Sequence, residues 1–197
     1  MKENIKEIIL EKSRQLFNEH GYHKVTMRMI ADACDIRVGN LTYHYKKKKD
    51  IMNDLLKNGE PSKEITSVES LQDLYNYIYE MVDGVRKNHF FFSSSEMQNL
   101  DEDFFLTNKK NVQAIHKSFI KHLIHLQEKK VLSSSFSKDE MEAYVSMMML
   151  AHLSWSNEEE KNSTYTSLTF KQFVLKHIIL LKPYLTTTGL KQFEKLK

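Results

Sequence analysis

The chain contains few of the residues that interrupt helices or cross-link small folds. Only 5 Gly and 2 Pro occur in 197 residues, which favours long helices over a fold rich in turns. The single cysteine, Cys34, can form no internal disulfide, and on the apolar face of a predicted helix we interpret it as a small buried hydrophobe. No stretch approaches 18 apolar residues, and the start MKENIKEI does not resemble a signal peptide, so we expect a soluble, cytoplasmic protein.

Signatures of catalysis are also missing. The sequence has no Gly-rich phosphate loop and no nucleophile elbow, so we predict no catalytic residue, no cofactor and no enzymatic activity. His122 and His125 stand three residues apart on one predicted helix, with His116 upstream and His152 on a neighbouring helix. Two such histidines and a carboxylate could hold a transition metal, but no cysteine or His-x-x-x-Glu pattern accompanies them, and we predict no metal site.

Residues 26–51 have the pattern of a helix-turn-helix. The first of two short segments has a small apolar face made by Ile30, Ala31, Ala33 and Cys34. The second repeats apolar residues at spacings of three and four, at Val38, Leu41 and Tyr45. Asp35 stands between them and tolerates a left-handed backbone, which allows one helix to stop and the next to start at a steep angle. The second helix would then lie in the major groove of DNA.

Four consecutive lysines, 46–49, follow the second segment. Clustered ammonium groups hold a reading helix against DNA through phosphate contacts and counterion release. Residues 1–57 carry 12 Lys and Arg against 8 Asp and Glu, whereas the remainder carries 17 against 18, so basic charge is concentrated beside the motif. The alternative to DNA contact is that the four lysines are simply the solvated start of a helix, as most isolated charge runs are.

Residues 9–55 resemble the tetracycline-repressor (TetR) family of bacterial regulators. The matching segments are ILEKSRQLFNEHGY, VTMRMIADACDI and VGNLTYHYKKKKDI, in the family's order and spacing. Leu16, Phe17 and Gly21 match the first helix, and Thr26, Ile30 and Ala31 match the second. Gly39, Leu41, Tyr43, His44, Tyr45 and Lys48 match the recognition helix and its exit. Arg37 departs from the pattern, since a capping Ser often stands there, and it is either a DNA contact or a tolerated surface residue.

The candidate DNA-binding residues fall into groups with different roles. The resemblance implies that Tyr43, His44 and Lys48 contact phosphates. Thr26 can cap the second helix, whose free amides can bind a phosphate. The side chains suited to hydrogen bonds or methyl contacts with base edges are those of Arg28, Arg37, Asn40 and Thr42. The full predicted set is Thr26, Arg28, Arg37, Val38, Gly39, Asn40, Thr42, Tyr43, His44, Lys46 and Lys48. Phe17, Ile30, Leu41 and Tyr45 we interpret as the core of the small domain.

We predict an all-α fold of nine to ten helices in two domains: a three-helix DNA-binding domain, 1–57, and a helical ligand-binding and dimerisation domain, 58–197. The segment NGEPSKEITS, with Gly59 and Pro61, separates them. Capping boxes at Thr66/Glu69 and Ser137/Glu140 predict two helix starts. The aromatic stretch from 90 to 105 suggests one short helix between turns. Further helices are predicted over 138–154, over 164–182 and from about 188.

The helices predicted over 138–154 and 164–182 are apolar around more than half of their circumference, which favours a dimer over the alternative that both helices are interior to one subunit. The resemblance implies that they form an intersubunit four-helix bundle. The candidate interface residues are Tyr144, Met148, Phe173, Val174 and Ile178. Aromatic and apolar residues of the second domain could line an effector pocket or simply form its core. The candidates are Tyr75, Tyr79, Phe92, Phe105, Phe119, Met148 and Trp155.

The sequence and its resemblance together predict a homodimeric transcription factor, a repressor that binds a pseudo-palindromic double-stranded operator. A small apolar or amphipathic effector would change the separation of the two reading helices and release the DNA. The alternative is a regulator without a small-molecule effector, whose second domain docks a protein partner or acts in activation.

Overall fold

The structure is a computed structural model, and it describes residues 4–57, 67–91, 102–159 and 168–196. The described residues form nine α-helices and two short 3₁₀ helices, and no strand beyond an isolated bridge between Leu132 and Leu185. The α-helices are α1 (Ile5–His20), α2 (Met27–Ala33), α3 (Val38–His44), α4 (Lys48–Lys57), α5 (Leu71–Lys87), α6 (Glu102–Glu128), α7 (Lys138–Glu159), α8 (Phe170–Leu180) and α9 (Thr187–Lys195). The all-α prediction is confirmed. Within these ranges no helix combines the length and apolar character needed to cross a bilayer.

The chain divides into two compact units. The N-terminal unit contains residues 1–62 and 84–100, and the C-terminal unit contains residues 63–83 and 101–197. Helix α5 contributes to both, because its last residues pack with the N-terminal unit. The functional boundary after residue 57 therefore stays a prediction.

The N-terminal unit has a core of large apolar side chains from α1 to α4. Phe17, Ile30 and Leu41 are fully buried and Tyr45 is nearly so, as the sequence predicted. Each contributes roughly 1.5–3 kcal/mol by leaving water. Asn4 caps α1 through its side-chain oxygen, and Gly21, with φ 79°, ends the helix in a conformation that L side chains rarely adopt. The fold of this unit thus follows from local signals.

The C-terminal unit is built around the predicted stripe of α5. Leu71, Leu74, Ile78 and Val82 recur at spacings of three and four and are all buried. They pack in one cluster with apolar residues of α6, α7, α8 and α9. The helices that the sequence predicted for this unit therefore share a single core.

The predicted start of α5 is wrong. Thr66 lies outside the described residues, and α5 begins at Leu71, after a non-helical segment that includes Glu69. Ser70 and Asp73 make the cap: the Asp73 carboxylate accepts from the Glu69 amide at 3.1 Å and from the Ser70 hydroxyl at 2.7 Å. The Glu69 carboxylate instead bonds the side chains of Lys129 and His125, which lower its pKa to about 2.

The other helix limits agree with the sequence in part. The Ser137/Glu140 capping box is present, and α9 begins close to the predicted residue. Helix α7 continues to Glu159, beyond the predicted end at residue 154, and α8 begins at Phe170 behind a capping box of Thr169 and Gln172 that we did not predict. The short helix predicted between residues 90 and 105 falls mostly on residues 92–101, which lie outside the description. A 3₁₀ turn covers His89–Phe91, and residues 102–105 already belong to α6.

Candidate DNA-binding surface

The turn between α2 and α3 is set by hydrogen bonds of the backbone. The Ile36 amide donates to the Ala31 carbonyl at 3.0 Å, and the Asp35 amide donates to the Asp32 carbonyl at 3.1 Å. This is a Schellman motif, in which the residue after the helix is left-handed. Asp35 occupies that position with φ 53°, as predicted. The adjacent Cys34 is only half-buried, and burial raises the pKa of its thiol.

Helix α3 is anchored on one side and open on the other. Leu41 is fully buried, while the remaining candidates on the helix lie at the surface: Arg37, Val38, Gly39, Asn40, Thr42 and Tyr43 are exposed, and His44 is half-buried. Tyr43 is the most exposed large hydrophobic residue in the described part, at 85%. The helix therefore presents hydrogen-bonding groups over most of its circumference without losing its attachment to the core.

Two residues of α3 have contacts that limit what they can do. The Thr42 hydroxyl donates to the Gly39 carbonyl at 3.0 Å, so its methyl and oxygen lone pairs are what remain for a ligand. A Cβ built on Gly39 would meet no atom within 4 Å. Packing inside the unit therefore does not require glycine at this position. The missing side chain leaves room for the backbone of another molecule to approach.

Thr26 and Arg37 begin the two helices in different ways. The Thr26 hydroxyl oxygen accepts from the Met29 amide at 3.2 Å, so the predicted cap is present. Arg37 caps α3 without a side-chain hydrogen bond, as the missing Ser suggested. A cation at the positive end of the helix dipole is locally unfavourable by a few tenths of a kcal/mol up to about 1. Arg28 is exposed on α2.

Lys48 has contacts within the unit that the sequence did not predict. Its ammonium donates to the carbonyls of Tyr22 at 2.5 Å and Val25 at 2.6 Å, with His23 O at 3.4 Å. It also lies 4.2 Å from the centre of the Tyr22 ring. The loop between α1 and α2 therefore supplies acceptors for this ammonium, in addition to the phosphate contact that the resemblance implies.

The other lysines of the run are not equivalent to Lys48. The side chains of Lys46 and Lys47 are exposed. The backbone amide of Lys47 donates to the Asp50 carboxylate at 2.9 Å, and this hydrogen bond caps the start of α4. The ammonium groups of Lys46 and Lys47 are the ones presented to solvent at this corner.

Two polar contacts of the N-terminal unit were not foreseen from the sequence. The Tyr45 hydroxyl donates to the Asp54 carboxylate at 3.1 Å, and burial together with this carboxylate raises the pKa of Tyr45 to about 12. The Asn18 side chain donates to the Lys87 carbonyl at 2.8 Å and accepts from the Phe90 amide at 3.1 Å. Asn18 and Lys87 are 69 positions apart, so no local pattern could have revealed this contact.

The predicted ligand-binding residues are divided between the core and the undescribed parts. Phe119 and Met148 are buried in the core of the C-terminal unit, and the ring of Phe119 lies 5.4 Å from that of Tyr77. Tyr75 and Tyr79 are half-buried, and Tyr79 packs edge-on against Phe170 at 4.6 Å. The side chains of Phe92, Phe105 and Trp155 lie outside the described set.

The predicted interface residues face inwards. Phe173, Val174, Ile178 and Met148 are at most 8% exposed within a single chain, and the half-buried Tyr144 donates its hydroxyl to the His177 carbonyl at 2.9 Å. These five side chains pack the subunit itself, so our choice of residues is corrected. The exposed apolar residues of the same helices are Met147 (66%), Leu150 (58%), Ile179 (41%) and Leu180 (63%). We call these four residues the outer patch.

The four histidines weighed as metal ligands have separate surroundings. His125 bonds Glu69 and Glu128, whereas His116 bonds Ser146 at 3.2 Å. His122 packs against Tyr77, and the buried His152 packs against His177 with ring centres 4.7 Å apart. Over the described ranges, no group of three or more potential ligands is close enough to hold a metal ion.

Comparisons with known proteins agree with this geometry. A family profile described as bacterial regulatory proteins of the tetR family matches residues 9–55, and one described as a bacterial transcriptional repressor matches residues 51–193. IcaR of Staphylococcus aureus, the negative transcriptional regulator of the icaADBC biofilm operon, is 24% identical over 158 residues, covering 77% of this chain and 82% of IcaR.

Solved structures share the fold along the chain. A TetR-family regulator from Marinobacter aquaeolei superposes with a TM-score of 0.77 at 23% identity, covering 100% of both chains. The repressor NalD of Pseudomonas aeruginosa gives a TM-score of 0.63 at 18% identity, covering 95% of this chain and 99% of NalD. With the repressor profile matching more than half of its length, and with a helix-turn-helix where the first profile places one, the chain belongs to the TetR family of bacterial transcriptional regulators.

Proposed function

We propose that this protein is a homodimeric repressor that reads a pseudo-palindromic operator with α3. The observation that carries the proposal is the two-sided character of α3: Leu41 fixes it to the core, and Asn40, Thr42 and Tyr43 are exposed. A helix held in this way can enter the major groove and keep its orientation. The Schellman turn at Asp35 supports the proposal because it fixes the angle at which α3 leaves α2.

The exposed residues divide by chemistry into base and phosphate contacts. Asn40 can pair with adenine in two hydrogen bonds, Arg37 and Arg28 can pair with guanine, and the Thr42 methyl can meet that of thymine. Tyr43, His44, Lys46 and Thr26 supply donors suited to phosphates, while Val38 and Gly39 allow close approach. Phosphate contacts give affinity at any sequence, whereas the base contacts specify the operator.

We assign the dimer contact to the outer patch. Met147 and Leu150 lie one turn apart on α7, and Ile179 and Leu180 lie at the end of α8. The two helices pack together through Tyr144 and His177. Apolar residues exposed at neighbouring helices form a surface that association would remove from water. A two-fold axis through this surface would bring two reading helices onto one operator.

The small-molecule effector is assigned to the C-terminal unit. Tyr75 and Tyr79, half-buried beside Phe170, offer rings and hydroxyls to a small apolar or amphipathic molecule that would release the operator. The complete burial of Phe119 among its own neighbours instead favours the alternative, a regulator whose C-terminal unit docks a protein. Adding the small-molecule fraction of a cell extract to the DNA complex separates the two: release supports an effector, and retention supports the alternative.

Selection of duplexes from a randomised pool tests the proposed reading of DNA. Wild-type protein should enrich an inverted repeat whose half-sites lie about one helical turn apart, because each α3 covers one half-site. Enrichment of an asymmetric sequence, or of no sequence at all, would contradict the proposal.

We expect Asn40→Ala to weaken binding to the selected duplex by about 1 to 3 kcal/mol, since a bidentate base contact is lost. Binding to a random duplex should change much less. Lys47→Ala is the control, since we assign its exposed ammonium to the phosphate backbone and its loss should weaken both duplexes alike. Titrations of both duplexes measure the effect, and an equal loss on the two for Asn40→Ala would make Asn40 a phosphate contact.

A further inference from the structure

We propose that Tyr45 is a positioning residue for the reading of DNA. Its hydroxyl, bonded to the Asp54 carboxylate, fixes the C-terminal end of α3 to α4 and so holds the reading helix at the angle that its base contacts need. This inference rests on the proposed function, since it assumes that α3 reads DNA.

Helix α3 is short and has few attachments of its own. Leu41 is the buried residue of the helix, and a single buried side chain leaves the helix axis free to swing about that point. The turn at Asp35 restrains the N-terminal end of α3. At the other end, the Tyr45 amide donates to the Leu41 carbonyl at 2.9 Å, and its extended backbone, with φ −137°, ends the helix. Tyr45 is therefore placed to hold the second end.

Two other helices contact the Tyr45 side chain. Its ring is almost fully buried, and the Lys6 ammonium of α1 lies 5.6 Å from the ring centre. Its hydroxyl donates to the Asp54 carboxylate of α4 at 3.1 Å. Ile51 and Leu55 are buried, so the helix that carries this carboxylate is itself fixed to the core. Ring packing permits sliding, whereas a hydrogen bond to a charged acceptor has a preferred distance and direction.

The hydrogen bond can be removed without breaking the core. Burial and the Asp54 carboxylate raise the pKa of Tyr45 to about 12, so the hydroxyl is a donor at neutral pH. The Asp54 side chain is half-buried and borders an open groove of about 570 Å³ lined by residues of α1. Water can hydrate the carboxylate there, so Tyr45→Phe keeps the buried ring and strands no buried charge.

The charge of Asp54 allows its role to be tested by the sign of the effect. A carboxylate in the DNA-binding unit repels phosphates, so electrostatics alone predicts that its removal strengthens binding to any duplex. If Asp54 holds Tyr45, its removal instead weakens binding to the selected duplex. Glu7 provides the matched control, because it is exposed on α1 and lines the same groove. Glu7→Ala removes the same charge and leaves the hydrogen bond in place.

Titrations of two duplexes test the proposal: one that wild-type protein selects from a randomised pool, and one of random sequence. We expect Tyr45→Phe and Asp54→Ala to bind the selected duplex about tenfold more weakly, since a hydrogen bond to a charged group is lost. Both should bind the random duplex at least as well as wild type. The double variant should bind no more weakly than the weaker single variant, because both substitutions remove one hydrogen bond. Glu7→Ala should bind both duplexes at least as well as wild type.

Three results of these titrations would overturn the proposal. Folded Tyr45→Phe protein with full affinity for the selected duplex would show that the hydroxyl serves stability alone. An equal loss on the two duplexes would show that the orientation of α3 is not what changed. Tighter binding of the selected duplex by Asp54→Ala would reduce the effect of Asp54 to its charge. Circular dichroism establishes that each variant is folded under the conditions of the titration.

Hydrogen exchange in the free protein provides a readout that needs no DNA. The Tyr45 amide, which closes the last turn of α3, should exchange at least several-fold faster in Tyr45→Phe and Asp54→Ala than in wild type and Glu7→Ala. The Gly21 amide, bonded to the Phe17 carbonyl at 2.9 Å at the end of α1, should exchange as in wild type. Exchange at Tyr45 that is unchanged, or that rises together with exchange at Gly21, would overturn the proposal.

Failure of the proposed function would give a different result. If wild-type protein enriches no duplex, the proposed function fails and the positioning role fails with it, even where exchange of the Tyr45 amide rises. If a duplex is enriched and folded Tyr45→Phe binds it normally, the proposed function stands and the positioning role fails.

Discussion

Leu180→Glu is expected to convert the dimer into a folded monomer that no longer binds the full operator tightly. Leu180 is 63% exposed in the single chain, so a carboxylate there is hydrated and harmless in a monomer. At a dimer contact the same carboxylate would be buried without a partner, which costs several kcal/mol. Sedimentation gives the mass, circular dichroism the helical content, and titration the affinity for the selected duplex.

Val174→Glu is the matched control on the same helix. Val174 is fully buried among core residues of its own chain, so the buried carboxylate should destabilise the subunit itself by more than about 3 kcal/mol. We expect loss of helical signal in this variant but not in Leu180→Glu. A Leu180→Glu protein that stays dimeric and binds the operator normally would place the interface elsewhere.

The C-terminal unit is expected to lose stability as the pH falls from 7 to 5, because of His152 and His177. Burial, and then the nearby His177, lowers the pKa of His152 to about 3, and burial also lowers the pKa of His177. In the unfolded chain both imidazoles titrate near 6.5. Between about 3 and 6.5 the unfolded state binds more protons at His152, so the free energy of unfolding falls with pH by up to about 1.4 kcal/mol per unit from this residue. His177 contributes in the same direction.

The groups around this pair compensate only in part, because hydrogen bonds to the backbone at Phe173 and Val174 act to raise the pKa of His177 against the larger effect of burial. The Tyr144 hydroxyl donates to the His177 carbonyl, the Nδ1 of His177 bonds the Phe173 carbonyl at 2.9 Å, and the Nε2 of His152 is buried without a hydrogen bond. His125 acts in the opposite direction, because Glu69 and Glu128 raise its pKa, so its contribution is present below 6.5 and lost as the pH rises. Exposure makes that contribution small.

His152→Phe separates the two effects. Urea unfolding of wild type and variant at pH 7 and pH 5 should show a smaller loss for the variant, because one buried titrating ring has been removed. An identical loss in both proteins would exclude His152 as a source of the pH dependence.

Much of the reading unit could be predicted from local pattern. Ile30 in α2 and Leu41 in α3 each belong to an apolar pattern of helical spacing, and both are buried. Asp35 stands at the position where a left-handed residue was needed. The loop contacts of Lys48 could not be predicted because its acceptors lie 23 to 26 positions earlier in the chain. A lysine within a basic run gives no sign in one dimension that it bonds carbonyls instead of solvent.

The apolar helices of the C-terminal unit show a second limit of sequence reasoning. The helices α7 and α8 are apolar on several sides, so spacing alone did not indicate which side packs inside the subunit. We chose Val174 and Ile178 for the interface, and both are fully buried, whereas Ile179 and Leu180 are exposed. The start of α5 was predicted wrongly for a related reason. The sequence offers two capping pairs there, Thr66 with Glu69 and Ser70 with Asp73, and the second pair caps the helix.

The number of chains on one operator tests the central claim most directly. Sedimentation of the wild-type protein with the full selected duplex, and with a duplex that carries one half-site, gives the mass of each complex and the protein concentration at which it forms. We predict two chains on the full duplex, formed at a concentration at which the half-site duplex is still unbound. A single chain that binds both duplexes equally well would contradict the account.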